Sequence, residues 1–67
     1  MSNSNIVLYA DVEYKDRIID VQVEQSDYNM NIKDIYENNT DNIITRNFTD
    51  SDMNVINEIM KFELGFN

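Results

Sequence analysis

Two segments near the start of the chain alternate between apolar and polar residues. In the first segment, one face of the pattern holds Ile6, Leu8, Ala10, Val12 and Tyr14, and the other holds Val7, Tyr9, Asp11 and Glu13. In the second segment, Ile19, Val21 and Val23 alternate with Asp20, Gln22 and Glu24. A period of two is typical of half-buried β-strands. The pattern therefore predicts a β-hairpin over residues 5–25, with Lys15 and Asp16 as a two-residue turn.

The apolar residues also predict how the two strands pair. With Tyr14 opposite Arg17, the pairs that follow are Val12 with Ile19, Ala10 with Val21 and Leu8 with Val23. One face of the hairpin is then uniformly apolar, whereas a shift by one residue would bring carboxylates into it. The opposite, outer face would carry Val7, Tyr9, Asp11 and Glu13 from one strand and Ile18, Asp20, Gln22 and Glu24 from the other.

The middle of the chain allows two interpretations. Tyr28, Met30 and Ile32 alternate as in a strand, whereas Ile32, Ile35 and Tyr36 have helical spacing. We favour a third strand within residues 28–37, with a helix as the alternative. The polar residues 37–42 are typical of a turn, and the β-branched residues of 43–48 predict a fourth strand.

The last third of the chain has the marks of a helix over residues 50–64. Thr49 is a natural N-cap with Asp52 at the capping-box position, and Phe48 and Met53 have the spacing of a hydrophobic staple. Gly65 is placed to end the helix. Its apolar arc consists of Met53, Val55, Ile56, Ile59, Met60, Phe62 and Leu64.

These elements predict an α+β fold: a small antiparallel β-meander of three to four strands, with one C-terminal helix packed on one face. No repeat or Gly/Pro-rich linker divides the chain, so residues 1–67 are expected to form a single domain with a flexible terminus at 1–4. At this length the stability of a lone hydrophobic core is marginal, and a homodimer is one way to increase it.

The composition of the chain is strongly acidic, and it lacks the residue types that most catalytic mechanisms require. Thirteen acidic residues stand against five basic ones, which gives a net charge of -8. The absence of cysteine and histidine excludes disulfides, thiolate nucleophiles, imidazole bases and zinc sites of the Cys/His kind. We therefore expect a binding protein and no enzyme, with no cofactor and no metal.

The N-terminal residues and the lengths of the apolar runs indicate where in the cell the protein is expected. The N-terminal residues lack the basic start and apolar core of a signal peptide, and no run approaches the roughly 20 apolar residues of a membrane span. The expected location is the cytoplasm, which for a phage-encoded protein means that of the host cell. A net negative charge repels nucleic acid and anionic membranes and attracts basic protein surfaces.

The outer face of the hairpin is the candidate binding surface. Asp11 would lie opposite Asp20, and like charges in a cross-strand pair destabilise a sheet unless something compensates. A basic partner would provide that compensation, although a merely solvated face, screened by salt, is the alternative. The candidate contact residues are Tyr9, Asp11, Glu13, Asp16, Asp20, Gln22, Glu24, Asp34, Glu37 and Asp41.

Carboxylates on two adjacent strands approach the charge density of a nucleic acid. Residues on one face of a strand are about 6.6 to 6.8 Å apart, and DNA has one phosphate per roughly 3.4 Å of each strand. In size, charge and architecture the chain resembles the broad group of phage-encoded nucleic-acid mimics, which includes uracil-DNA glycosylase inhibitors, anti-restriction proteins and some anti-CRISPR proteins. The resemblance implies an inhibitor that occupies the basic site of a nucleic-acid-processing enzyme or complex.

Other functions have weaker sequence support. A structural module would dimerise through a strand edge or through Val7, Tyr9 and Phe66. Asp50, Asp52 and Asn54 match the start of a calcium loop, but Val55 replaces the glycine that such a loop requires. Carboxylates at Asp11, Glu13 and Asp20 on a flat sheet offer few convergent ligands for a divalent cation.

Overall fold

The computed structural model describes residues 4–66, which form a three-stranded antiparallel sheet and one C-terminal helix. The elements are β1 (Asn5–Tyr14), β2 (Arg17–Gln25), β3 (Met30–Glu37), a short 3-10 turn (Thr45–Asn47) and α1 (Asp50–Leu64). The strands lie in the order β1-β2-β3. The predicted α+β fold is confirmed, while residues 1–3 of the predicted flexible terminus lie outside the described residues.

The predicted register of the hairpin is right near the turn and wrong beyond it. Tyr14 pairs with Arg17 and Val12 with Ile19, as expected. A β-bulge then places two residues, Ala10 and Asp11, opposite the single residue Asp20. Beyond the bulge the pairs are Tyr9 with Val21, Val7 with Val23, Leu8 with Gln22 and Ile6 with Glu24.

The bulge exchanges the two faces of the N-terminal half of β1. Tyr9 and Val7 now share the inner face with Val21 and Val23 and pack against the core. Leu8, predicted to be buried, is 51% exposed, and Ala10 is exposed as well. An extra residue reverses which side chains point inward because the side-chain period of a strand is two.

Residues 30–37 form a strand, which settles the ambiguous middle segment in favour of the sheet interpretation. β3 pairs with β2, with Val21 opposite Ile35 and Gln22 opposite Asp34. A second irregularity leaves Lys33 as an extra residue before Ile32 pairs with Val23. The inner face therefore keeps its apolar character across all three strands.

The predicted fourth strand is absent from the described residues. Ile43 makes one isolated bridge with Tyr36, and the N–H of Ile44 donates to the carbonyl of Ile35 at 2.7 Å. The N–H of Ile35 then donates to the hydroxyl Oγ1 of Thr45 at 2.9 Å instead of to a backbone carbonyl. Since a side chain replaces the next ladder bond, the chain is free to turn, and it enters the 3-10 turn.

Helix α1 has the caps that its sequence predicts. The Thr49 hydroxyl accepts from the N–H of Asp52, and the Asp52 carboxylate accepts from the N–H of Thr49, both at 3.0 Å. Gly65 ends the helix in the left-handed region at φ 83°, where glycine has no Cβ to clash.

The helix packs on the inner face of the sheet. Its buried residues Ile56 and Met60 join Tyr14, Ile19, Val21, Val23, Met30 and Ile35 in one apolar core. Phe48 and Met53, the predicted staple residues, both pack against this core. No helix within residues 4–66 is long and apolar enough to cross a membrane.

Candidate protein-binding surface

Most of the carboxylates of the chain face solvent. The exposed ones are Asp11, Glu13, Asp16, Asp27, Glu37, Asp41, Asp50, Glu58 and Glu63. Within residues 4–66 the only ion pair joins Lys15 to Asp52, at 3.3 Å between Nζ and Oδ1. The negative charge is therefore left largely without a cationic neighbour inside the molecule.

Asp20 is the main exception, and the prediction that its carboxylate is exposed on the outer face is wrong. It is 3% exposed because the turn that follows β3 folds against it. The N–H of Asn39 donates to Oδ2 at 2.9 Å, and the Asn38 side-chain amide donates to Oδ1 at 2.9 Å. The N–H of Asp11 donates to Oδ1 at 3.2 Å. Asp20 thus joins the turn and the bulge to β2 and exposes almost none of its surface to solvent.

The repulsion expected between Asp11 and Asp20 is relieved from within the molecule. The amide Nδ2 of Asn38 donates to the carboxylates of both residues, at 2.9 Å in each case. Asp11 itself adopts φ 60°, a left-handed conformation that aspartate tolerates better than most residues. Compensation exists, as the sequence suggests, but its source is an internal asparagine.

The surroundings of Asp20 keep it ionised. Burial alone raises the pKa of its carboxyl group, but the donors from Asn39, Asn38 and Asp11 outweigh that effect. The net result is a pKa below the ordinary value of 3.8, because hydrogen bonds to the charged form favour it.

Tyr9 is also misplaced by the sequence-based register. Its ring is half-buried on the helix side of the sheet, and its hydroxyl donates to Oε1 of Gln25 at 2.8 Å. Tyr9 is therefore a core-edge residue, and the outer face lacks the aromatic contact that we expected there.

The remaining predicted residues on the strands keep their side chains on or near the outer face. Glu13, Gln22 and Glu24 occupy that face by register, and the hydroxyl of Ser4 donates to Glu24 at 3.2 Å. Asp34 lies beside Gln22 and is half-buried, since the hydroxyl of Thr45 donates to it at 2.8 Å. Of this group, Glu13 is exposed and the other three are half-buried.

The outer face also contains apolar residues. Sequence reasoning places some of them on the other face and considers none of them for binding. Ile6 and Leu8 on β1 are 54% and 51% exposed, and Ile18 on β2 is 51% exposed. Single exposed apolar residues are common on proteins, but three on one small sheet face give it a mixed apolar and acidic character. We call this surface, formed by Ile6, Leu8, Asp11, Glu13, Ile18, Gln22, Glu24 and Asp34, the outer sheet face.

The predicted loop residues lie at one end of the sheet. Asp16 occupies the β1–β2 turn, and Glu37 ends β3 opposite Ile19, close to the start of β2. Asp41 follows in the turn after β3, and all three are exposed. The Glu37 carboxylate accepts from the Asn42 side-chain amide at 3.1 Å, so this turn is internally braced.

A titratable cluster at the same end joins the hairpin to the helix. The Tyr14 hydroxyl donates to Oδ1 of Asp52 at 2.6 Å, and Lys15 donates to the same oxygen. The Tyr14 hydroxyl, followed by the Thr49 N–H, holds the pKa of Asp52 well below 3.8 despite an opposing effect of burial. The hydrogen bond to Asp52 likewise raises the pKa of Tyr14 and of Lys15. This cluster anchors the helix N-terminus.

No three acidic side chains within residues 4–66 converge into a group that would hold a metal ion. Asp11 and Asp20 approach each other, but the Asn38 amide lies between their oxygens as a donor. The positively polarised N–H groups of this amide stabilise the two negative charges, as a cation at this place would.

Comparisons with known proteins add no relative: no family model, no curated protein and no solved structure matches this chain.

Proposed function

We propose that the protein is a small acidic inhibitor that binds a basic protein surface, namely the nucleic-acid site of an enzyme or complex, and keeps nucleic acid out of it. Its contact surface is the outer sheet face together with the acidic loop residues Asp16, Glu37 and Asp41. This is the manner of action of phage anti-defence proteins of the nucleic-acid-mimic kind. The partner would be a protein, with neither nucleic acid nor membrane bound directly.

One observation carries the proposal: the described chain exposes nine carboxylates and neutralises only one other, Asp52, in an ion pair. A surface of this kind raises the rate of encounter with a basic partner and disfavours acidic ones. The exposed Ile6, Leu8 and Ile18 supply apolar area, which contributes affinity that charge alone seldom provides.

The corrected surface differs from an evenly charged strip. Leu8 occupies the outer face opposite Gln22, and Ile6 lies opposite Glu24, so apolar side chains separate the carboxylates of β1 from those of β2. We therefore expect the partner to offer basic residues with apolar surface between them.

The test starts from an extract of the native host passed over the immobilised protein. Each retained protein is identified, purified and bound to a labelled nucleic acid, and the chain is then added. The proposal expects the nucleic acid to be displaced in a concentration-dependent way. Retained proteins that keep their nucleic acid bound in the presence of excess chain would contradict it.

Two matched variants locate the contact surface. Glu24→Lys changes the outer sheet face, whereas Glu58→Lys makes the same change of charge on α1, which packs on the opposite side of the sheet. Glu24→Lys should weaken displacement markedly, and Glu58→Lys only slightly. Equal effects of the two variants would show that net charge matters and the face does not.

A second function, assembly through homodimerisation, has support from the free edge of β1. β1 pairs with β2 alone in the described sheet, and Ile6 and Leu8 are exposed on it. Val7, Tyr9 and Phe66, which we expected to form a dimer contact, are instead packed against the core. Light scattering decides this alternative, since a stable dimer that buries Leu8 would occlude the outer sheet face.

A further inference from the structure

A groove separates β1 from the C-terminal half of α1, on the helix side of the sheet. It has a volume of about 510 Å³ and is lined by Tyr9, Ala10, Asp11, Val12, Glu13, Ile59, Met60, Glu63 and Leu64. Its volume is within the usual range for binding pockets, roughly 300–1,000 Å³. The groove lies at the β1 edge of the sheet and shares Asp11 and Glu13 with the outer sheet face, whereas Glu63 belongs to the groove alone and Glu24 to the outer sheet face alone.

The lining of the groove combines an apolar floor with an acidic rim. Val12, Ile59, Met60 and Leu64 contribute to the core or pack against it. Asp11, Glu13 and Glu63 are exposed, and no lysine or arginine among residues 4–66 lines the groove. This chemistry fits a long basic side chain, whose aliphatic stem covers apolar surface while its charged head meets carboxylates.

The backbone beside the groove is open. β1 is an edge strand, and among residues 4–66 no backbone hydrogen bond joins it to α1. An unpaired strand edge next to a helix is a common place for an extended segment to bind. The bulge at Ala10 and Asp11 interrupts continuous pairing, so side chains in the groove must supply much of the recognition.

We propose that this groove binds an extended segment of a partner protein, lying along β1, in which lysine or arginine alternates with apolar residues. The apolar side chains enter between Val12 and Leu64, and the basic heads meet Glu13 and Glu63. Charge complementarity selects this occupant over a second copy of the chain, because a second copy would bring further carboxylates to an acidic rim.

The experiment uses short fluorescein-labelled peptides and the full-length protein. Anisotropy is measured with a peptide that alternates lysine and valine, and with two controls that alternate glutamate with valine and lysine with serine. The proposal expects saturable binding of the first peptide alone, with changes in backbone NMR shifts confined to residues 9–13 and 59–64. Equal binding of the lysine–serine peptide would overturn it, since charge alone would then suffice.

Variants separate this groove from the outer sheet face. Glu63→Lys, on the rim, should weaken peptide binding by about fivefold to tenfold, because an attraction becomes a repulsion. Glu58→Lys on the same helix and Glu24→Lys on the outer sheet face should leave it within about twofold. The groove proposal would be refuted if the Glu63→Lys variant bound the peptide as tightly as the Glu58→Lys variant does. That result would not bear on the proposed function, which is tested separately by the displacement of nucleic acid. Light scattering that shows a dimer buried at β1 would also refute it.

Discussion

Among residues 4–66, the donors to the carboxylate of Asp20 are all neutral. The N–H groups of Asn39 and Asp11 and the side-chain amide of Asn38 all donate to it. A buried charge is tolerated when hydrogen bonds replace its lost hydration. Three separate segments, the bulge, β2 and the turn after β3, are therefore tied together at one side chain.

Replacing this carboxylate by an amide should destabilise the fold. Asp20→Asn gives one of the two oxygen positions to an NH₂ group, which faces donors and leaves at least one of them unsatisfied. We expect the free energy of unfolding to fall by about 1–3 kcal/mol, measured by urea denaturation. Asp41→Asn, at an exposed position of the same turn, should change it by less than about 0.5 kcal/mol. Similar values for the two variants would contradict the role of Asp20.

The same residue predicts how stability depends on pH. The pKa of Asp20 and that of Asp52 lie below 3.8 in the folded state, so an unfolded chain takes up protons first as the pH falls. The stabilisation from both groups is complete above the ordinary pKa and is lost progressively as the pH falls through the folded-state values. Urea unfolding between about pH 6 and pH 2 should therefore show stability falling with acid.

Asp20→Asn supplies the control for this pH dependence. Because the amide does not titrate, the stability of the Asp20→Asn variant should fall less steeply below about pH 4 than that of the wild type. The Asp41→Asn variant should follow the wild-type curve. If all three curves were parallel, Asp20 would have the same pKa in the folded and unfolded chains.

At the scale of elements, the bulge in β1 decides which residues are buried. It depends on Asp11, whose φ of 60° is unfavourable for β-branched residues and free for glycine. We expect Asp11→Val to be less stable than Asp11→Gly by about 1–2 kcal/mol in thermal or urea unfolding. A regular strand without the bulge would give the opposite order, because valine favours strands and glycine weakens them.

The bulge also marks where sequence reasoning fails. Residues 6–9 are all apolar, so either set of alternate residues in β1 could face the core. The apolar face of β2 pairs equally well with both sets and does not select one register. Packing against α1 buries Val7 and Tyr9 instead of Leu8. The one available signal was Asp11, an aspartate inside a strand pattern, which is disfavoured in strands and tolerated in the left-handed region.

Features set by short-range rules are predicted well. The N-cap of Thr49, its capping box with Asp52 and the left-handed Gly65 are all present, since each depends on neighbouring residues alone. The pairing of Tyr14 with Arg17 is likewise fixed by the adjacent turn. The bonds from Asn38 and Asn39 to Asp20 span 18 and 19 residues, and no local pattern indicates them. The candidate surface therefore lost Asp20 and Tyr9, and it gained Ile6 and Leu8.

For the molecule as a whole, the acidity is a property of the surface. In the described part of the chain, the core is apolar and Asp20 is the single buried carboxylate, whereas the exposed carboxylates include residues of every main element except β2. Asp11 and Glu37 accept hydrogen bonds from Asn38 and Asn42, whereas the mutual repulsion of the exposed carboxylates lowers the stability of the fold slightly. This distribution is the reason for our proposal that the charge serves to recognise a basic partner.

The most direct test of that assignment is the affinity of the protein for a retained partner as a function of salt concentration. The account predicts that affinity falls at least about tenfold between low and high ionic strength, mainly through slower association. Glu24→Lys should weaken binding and flatten this dependence, while Glu58→Lys should retain nearly the wild-type curve. An affinity that is independent of salt, or identical curves for both variants, would contradict it.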